Sequence, residues 1–407
     1  MSVHVWQDTI ALKTYVQGPA DPHANFERQI YPYAMQDALT HEVRDCEYHA
    51  VHLENELLHV VVLPELGGRV FSVWDRVAKR EVFYRNNVVK PAMVALRGAW
   101  ISGGIEFNAF NRGHSHTTMA PVSFEIAEPG GGREDASITI SDIDLRSRAR
   151  WAITIGLQPG DPRLHQHVRL HNRMPWRQRY YFWVNAALPA TDDLQLVYPA
   201  HKARFSREGI VDYPHWSGRD LSLYRNHPVA NDIFTLDVRQ DFFGCYYPNA
   251  DAGLVHLADR SHSVGKKFFT WGTADAGMIW VDLLTDSDGQ YVELQSGRFV
   301  DQSTYEYMRP FQRMDWHEVW WPIHGMGGWQ WAADEAVLNF ALDERGTADL
   351  GVLTWRDHAG AEVAVAAGDT RLWSETVDLA GHTPVTAEVE LGEPGRIVDV
   401  VGPAHGN

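Results

Sequence analysis

Along most of this chain, apolar and polar residues alternate in short runs broken by Gly, Pro, Asn and Asp. The stretch "YHAVHLENELLHVVVLPE", from Tyr48 to Glu65, predicts a hairpin with β-branched residues on both sides of a bend at Glu54-Asn55. "GRVFSVWD" and "REVFYRN" then continue as strands across a polar turn. From Val122 to Met174 four strand-like runs are separated by Pro-Gly-Gly-Gly and Pro-Gly-Asp-Pro, both strong turn signals. Within "HQHVRLHN", His165, His167, Arg169 and His171 share one parity, which marks a strand with one wet face. No stretch of about a dozen residues carries an i, i+3, i+4, i+7 apolar stripe with caps. The pattern predicts an all-β protein built as a large antiparallel sandwich.

One change of texture suggests a boundary. After "GGWQWAADEAVLNF" the aromatic-rich chain gives way to alternating small apolar and polar residues with Asp-Glu-Arg-Gly, Ala-Gly and Gly-Glu-Pro-Gly turns. Residues 1–335 are therefore expected to form the main sandwich and to carry the site. Residues 336–407 are expected to form a small C-terminal β-module of about six short strands, or an extension of the sandwich.

Composition narrows the function classes. Hydrophobic content of 44% with 22% charged residues is that of a folded globular chain. The formal net charge of −17 repels phosphate backbones and anionic lipid, so neither nucleic-acid nor membrane binding is expected. The N-terminal "MSVHVWQDTIALKTY" lacks a basic start and an apolar core, so no signal peptide is expected and a cytoplasmic location is the default. Cys46 and Cys245 have no metal-type spacing, and no nucleotide-binding or serine-hydrolase motif occurs, so no cofactor is expected. Self-association into a homo-oligomer stays open. Of 16 tryptophans, seven (Trp271, Trp280, Trp316, Trp320, Trp321, Trp329 and Trp331) fall in one C-terminal stretch. They read either as a packed core or as a cleft whose flat faces stack on sugars.

Two segments hold candidate chemistry. In "WISGGIEFNAFNRGHSHTTMAPV", Glu106 sits between Ile105 and Phe107, so on a strand it points away from both. Gly103-Gly104 before it allows a ligand or another backbone to approach closely. His114 and His116 follow as an HxH pair, which suits substrate contact better than a metal site, because only scattered residues could complete a ligand set. The second segment runs from "YVELQSG" through "DWHEVWWPIHGMGG". Glu293 and Gln295 share one strand face there, and Glu318 lies among aromatics. Carboxyls in such surroundings are desolvated, which suits general acid work. Glu106, Glu293 and Glu318 are thus the catalytic candidates. His114, His116, Asn108, Gln295, Trp271, Trp316, Trp320 and His317 are the substrate-binding candidates, and no metal site is expected.

"LPELGGRVFSVWDRVAKREVFYRNN" (Leu63 to Asn87) resembles the opening of the galactose mutarotase-like superfamily. "ISGGIEFNAFNRGHSHTTMAPV", "KKFFTWG", "ELQSG" and "WHEVWWPIHGMGG" are similar to a bacterial branch of that superfamily often fused to tetratricopeptide repeats. The resemblance spans roughly residues 40 to 335. It implies an antiparallel supersandwich whose concave sheet binds carbohydrate, with a histidine acid and a glutamate base opening and reclosing a sugar ring. Glu293 matches that base by position, and His114 or His116 the acid. The epimerase histidine signature is absent: "YYFWVNAALP", in the comparable place, carries Trp183 and Asn185 instead.

Three activities at a carbohydrate follow. The leading expectation is a glycoside hydrolase working at the anomeric carbon with paired carboxylates in a Trp-rich cleft. The alternatives are an aldose 1-epimerase with a His/Glu pair and a non-catalytic carbohydrate-binding protein.

Overall fold

In the strand Tyr291–Gly297, Val292 and Leu294 enter an apolar core, while Tyr291, Glu293 and Gln295 take the opposite face. That division recurs across the computed structural model, which describes residues 2–23, 30–206 and 208–391 and the backbone of 399–401. A 13-stranded sheet forms one layer. Its central strands lie in the spatial order Gly265–Thr270, Tyr291–Gly297, Phe182–Pro189, Ile105–Ala109, Arg69–Asp75, Leu58–Leu63. These neighbours pair antiparallel. An 8-stranded antiparallel sheet, centred on Leu164–His171 and Arg313–His324, forms the second layer.

Between the layers, Val60, Ile105, Val184 and Leu294 of the large sheet meet Ile138, Ile153, Val168 and Trp320 of the small one. Phe182 meets Trp316 edge-on at 5.1 Å, and Phe83 meets Trp320 in the same way at 5.6 Å. Each such pair adds roughly 0.5–1.5 kcal/mol beyond the area it buries. The all-β supersandwich expectation holds. The predicted hairpin pairs Leu39–Glu54 with Leu58–Leu63. Its bend is held by Asn55, whose Oδ1 accepts the amides of Leu57 (2.9 Å) and Leu58 (2.7 Å).

The C-terminal residues form a 4-stranded sheet, which begins at Trp331–Ala332, and a 3-stranded sheet. Trp321, Trp329, Val337 and Leu353 join them to the small sheet in a second apolar cluster. Arg163 fastens the same junction: it pairs with Asp161 at 2.7 Å, donates to the Asp334 carbonyl at 3.0 Å and lies 4.2 Å over Trp355.

The pattern reading missed the helix Asp275–Leu284. It has no side-chain cap and buries only Gly277 and Leu284, leaving Met278, Ile279 and Leu283 exposed, so no apolar stripe announces it. Trp280 stacks on Trp271 at 3.9 Å, which places the helix against the free face of the large sheet.

Candidate functional site

Cross-strand register gathers the polar residues of that free face. Asn185 stands opposite Glu106 on one side and Gln295 on the other; Gln295 in turn stands opposite Lys267. Trp183 faces Asn108, two residues along the same strands. Ile105, Phe107, Phe182 and Val184 bury the reverse face, so parity sends Glu106, Asn108, Trp183 and Asn185 to this one.

Glu106 is buried, and both of its carboxylate oxygens accept hydrogen bonds. It accepts hydrogen bonds from Trp100 Nε1 (3.1 Å), His114 (2.8 Å) and Thr118 Oγ1 (2.5 Å), with Asn185 Nδ2 at 3.5 Å and Arg69 at 4.0 Å. Burial alone would raise its pKa, but His114, Arg69 and Thr118 outweigh that and hold the carboxyl well below its ordinary range. Glu106 is therefore ionised. Because His114 meets it through Nδ1, the imidazole keeps Nε2 for another partner.

Glu293 behaves differently. Gln295 donates to it at 2.7 Å and the Tyr291 hydroxyl at 3.3 Å, and Trp271 Nε1 donates to that hydroxyl at 3.1 Å. Burial raises its pKa, and the counteracting charges of His114 and Lys267 do not cancel the rise. Lys267 is tied to Asp232 and lies 5.7 Å over the Trp183 ring. Two carboxyls on one sheet face thus hold their protons to different degrees.

Several buried polar atoms around this cluster have no protein partner: Asn108 Nδ2, Trp183 Nε1, Asn185 Oδ1 and Arg69 Nε. Buried groups are seldom left so, and a set of donors and an acceptor on one sheet face suits a ligand rich in hydroxyls. The loop from Phe110 to Thr118 closes one side. Phe110 adopts the left-handed region (φ 65°), held by the hydrogen bond that its N–H donates to the Tyr181 carbonyl at 2.7 Å. Strain of this kind costs about 1–3 kcal/mol and collects where a loop must aim a side chain, here His114.

Gly104 serves the scaffold. A Cβ there would lie 2.0 Å from the Val70 carbonyl at φ +64°, so the close approach is of another strand rather than of a ligand.

The site thus brings together Glu106, Glu293, His114, Asn108, Gln295 and Trp271, and other candidates lie elsewhere. Glu318 sits between the sheets, where Ser296, whose side chain leaves the opposite face from Glu293 and Gln295, donates to it. It also accepts from His256 (2.8 Å) and Trp316 Nε1 (2.8 Å). Burial would raise its pKa, yet these donors hold it low; it is an ionised core group without access to substrate. Trp316 and Trp320 are core residues. His317 lies on the outer face of the small sheet, stacked on His167 at 4.1 Å. His116 turns away from Glu106 to Asp144 (3.0 Å) and stacks on Tyr33. The Trp-rich segment is thus mostly core.

Arg69, Trp100, Thr118, Tyr291 and Lys267 were missed as site residues. Arg69 and Lys267 lie in the very motifs that carried the resemblance, but strand register is what reveals their place. Among the described residues, no group of three or more His, Cys, Asp or Glu is placed to hold a metal ion.

An antiparallel supersandwich with this polar face defines the class: the fold is galactose mutarotase-like. It resembles a galactose mutarotase-like protein from Clostridium acetobutylicum with a TM-score of 0.50 at 9% identity, over 68% of this chain and 96% of that one. A TPR-domain containing protein from Parabacteroides distasonis ATCC 8503 matches with a TM-score of 0.73 at 27% identity, over 79% of this chain. The match spans 55%, about half, of that longer protein. Residues 26–323 match the family model described as a domain of unknown function, DUF5107. The chain belongs to that family.

Proposed function

We propose that this protein acts on a carbohydrate at the anomeric carbon, opening and reclosing an aldose ring in the manner of an aldose 1-epimerase. The observation that carries the reading is the contrast between Glu106, held low by His114, Arg69 and Thr118, and Glu293, whose carboxyl burial makes the more basic of the two, with His114 beside both. A glycoside hydrolase needs two carboxyls free to work on either side of a bond. Both Glu106 oxygens are already held by donors from Trp100, His114 and Thr118, and Glu318 lies on the far side of the sheet. Ring opening needs less: one base and one acid.

In this reading Glu293, the more basic of the two carboxyls, takes the proton of the anomeric hydroxyl while His114 delivers one from Nε2 to the ring oxygen, and the C1–ring oxygen bond breaks. The charged imidazole faces the Glu106 carboxylate before it donates, the arrangement by which a buried acid holds a catalytic histidine in one tautomer. After rotation about C1–C2 the two protons return and the ring closes as the other anomer. These are the roles the family resemblance implied, a histidine acid and a glutamate base. Asn108, Asn185 and Trp183 supply the unpaired polar atoms that would orient the sugar hydroxyls.

The test is NMR of freshly dissolved single-anomer sugars with the purified protein. Accelerated anomer exchange is expected, falling about 10²–10⁴-fold in Glu293→Gln with folding intact. New reducing ends released from glycosides, without accelerated exchange, would overturn the reading in favour of hydrolysis.

A further inference from the structure

We infer that Arg97, which lies outside the polar cluster, is the positioning residue that holds His114 against Glu106. The inference rests on the reading above, in which His114 is the acid, and deepens it. Arg97 stands in the turn between the strands Ala92–Ala95 and Gly98–Trp100. Its half-buried guanidinium joins segments that are distant in sequence. Nε donates to the Ala34 carbonyl at 2.8 Å, Nη1 donates to the His116 carbonyl at 2.7 Å, and the group lies 5.2 Å over the Tyr33 ring.

Residues 30–38 reach Arg97 as a strap of irregular backbone, anchored by the buried side chains of Ile30 and Met35. The strap packs directly on the hairpin. Gln36 N–H donates to the Arg97 carbonyl at 2.6 Å, and Ala99 N–H donates to the Gln36 carbonyl at 2.8 Å. Gly98, at φ +103°, permits this approach, because a Cβ there would lie 2.6 Å from that Gln36 carbonyl. Two more contacts run from the strap to the His114 loop. Gln36 Nε2 donates to the Met119 carbonyl at 3.3 Å, and Tyr33 stacks on His116 at 4.4 Å. His116 is tied in turn to Asp144 at 3.0 Å. The two histidines of the HxH pair thus divide the work: His116 anchors the loop and His114 is presented by it.

Both walls around His114 meet at this junction. The hairpin ends in Trp100, whose Nε1 donates to Glu106 and whose ring lies 4.8 Å from His114. The loop supplies the other two donors to that carboxylate, His114 and Thr118. Arg97 fixes the loop at His116, two residues past His114, and Asn108 Oδ1 fixes it at the Ser115 amide, at 2.6 Å. An acid that delivers a proton to one oxygen needs exact placement, and a misplacement of about 1 Å costs on the order of 10²-fold in rate. Lysine is not equivalent at this position. Its ammonium lacks both the planar face that lies on Tyr33 and the fork that reaches carbonyls of two segments.

The test uses the full chain with Arg97→Ala and Arg97→Lys. Anomer exchange of glucose and galactose is followed by NMR, per folded molecule. Arg97→Ala is expected to lower kcat about 10–10²-fold while KM changes less than about threefold, because the groups that orient the sugar stay in place. Millimolar guanidinium, filling the vacated place between the two carbonyls, should restore part of that kcat and leave wild type unchanged. The second readout is the imidazole spectrum of protein with isotope-labelled histidine, in which the His114 signal is assigned by its loss in His114→Gln. That signal reports the Nδ1 hydrogen bond to Glu106; it should shift in Arg97→Ala and return with guanidinium. Arg97→Lys should show a smaller fall and a smaller shift, and it carries the test if Arg97→Ala does not fold. A lowered melting temperature with kcat per folded molecule and the His114 signal unchanged would overturn the inference. So would a loss of kcat with that signal unshifted, or a loss confined to KM. If wild type exchanges no anomers, the epimerase reading fails, and the His114 signal of the Arg97 variants decides the placement alone: shifted, it stands; unshifted, it falls.

Discussion

Replacing Glu106 with Gln separates charge from shape at the centre of the site. The amide can keep an oxygen where Trp100 and His114 donate and turn its nitrogen towards Thr118, whose hydroxyl can rotate to accept. What disappears is the negative charge. Hydrogen bonds to a charged group contribute about 1.5–3 kcal/mol and neutral ones about 0.5–1.5, so three donors lose roughly 3 kcal/mol together. Arg69, only 3% exposed, also loses its nearest carboxylate, at 4.0 Å. Removing one partner from a buried pair costs about 3–5 kcal/mol, and we expect a loss in that range at pH 7. Urea unfolding followed by tryptophan fluorescence measures it. The pH dependence supplies a second check. Because the folded pKa lies below the ordinary value of 4.5, the charge contributes stability above that pH, and the contribution fades as pH falls towards the folded pKa. The gap between wild type and Glu106→Gln should therefore narrow in acid. A loss under about 1 kcal/mol at pH 7, or a gap that widens in acid, would refute the claim that Glu106 is ionised and paired.

Three further substitutions test the scaffold. Glu318→Ala leaves His256 and Trp316 without their acceptor inside the core and should cost about 3–5 kcal/mol in chemical denaturation; anomer exchange per folded molecule should change little. Gly104→Ala combines a left-handed backbone with a clash against the Val70 carbonyl and should cost about 2–5 kcal/mol, read as a lowered melting temperature. Lys266 is 1% exposed, and burial pushes its pKa down to about 8. Between that pH and its ordinary 10.5 the folded state binds fewer protons than the unfolded one, so wild-type stability should rise with pH across the window. Lys266→Met should remove that slope and gain about 1–3 kcal/mol at pH 7, measured by urea denaturation.

Much of the layered fold could be read from alternation, because a strand with one buried face writes its period into the chain. "YVELQSG" and "IEFNA" both put apolar residues at one parity and polar ones at the other. Helix Asp275–Leu284 escaped because its apolar residues are exposed and its N-terminus has no side-chain cap. Aromatic clustering misled for a related reason. Trp316 and Trp320 are dense in sequence because one long strand, Arg313–His324, supplies a whole stripe of the inter-sheet core. Density alone does not say which side of a sheet a ring occupies.

The carboxylates make the limit sharper. Glu293 and Glu318 are both strand glutamates among aromatics, both are buried, and each lies two residues from a hydrogen-bonding neighbour on its own strand, Gln295 and Trp316. Local sequence gives them the same description. Their environments differ because parity differs relative to the core. Glu293 leaves the large sheet on its free face, beside His114 and the unpaired polar atoms of Asn108, Trp183 and Asn185. Glu318 leaves the small sheet inwards, to meet Ser296 from the strand that carries Glu293 on its other side. A carboxyl whose donors all come from the core has its hydrogen-bonding capacity closed by folding itself. One that faces unpaired donors on the free face of a sheet has that capacity open to a ligand. Glu293 is therefore the carboxyl that the proposed chemistry can use, whereas the charge on Glu318 serves to hold two sheets in register.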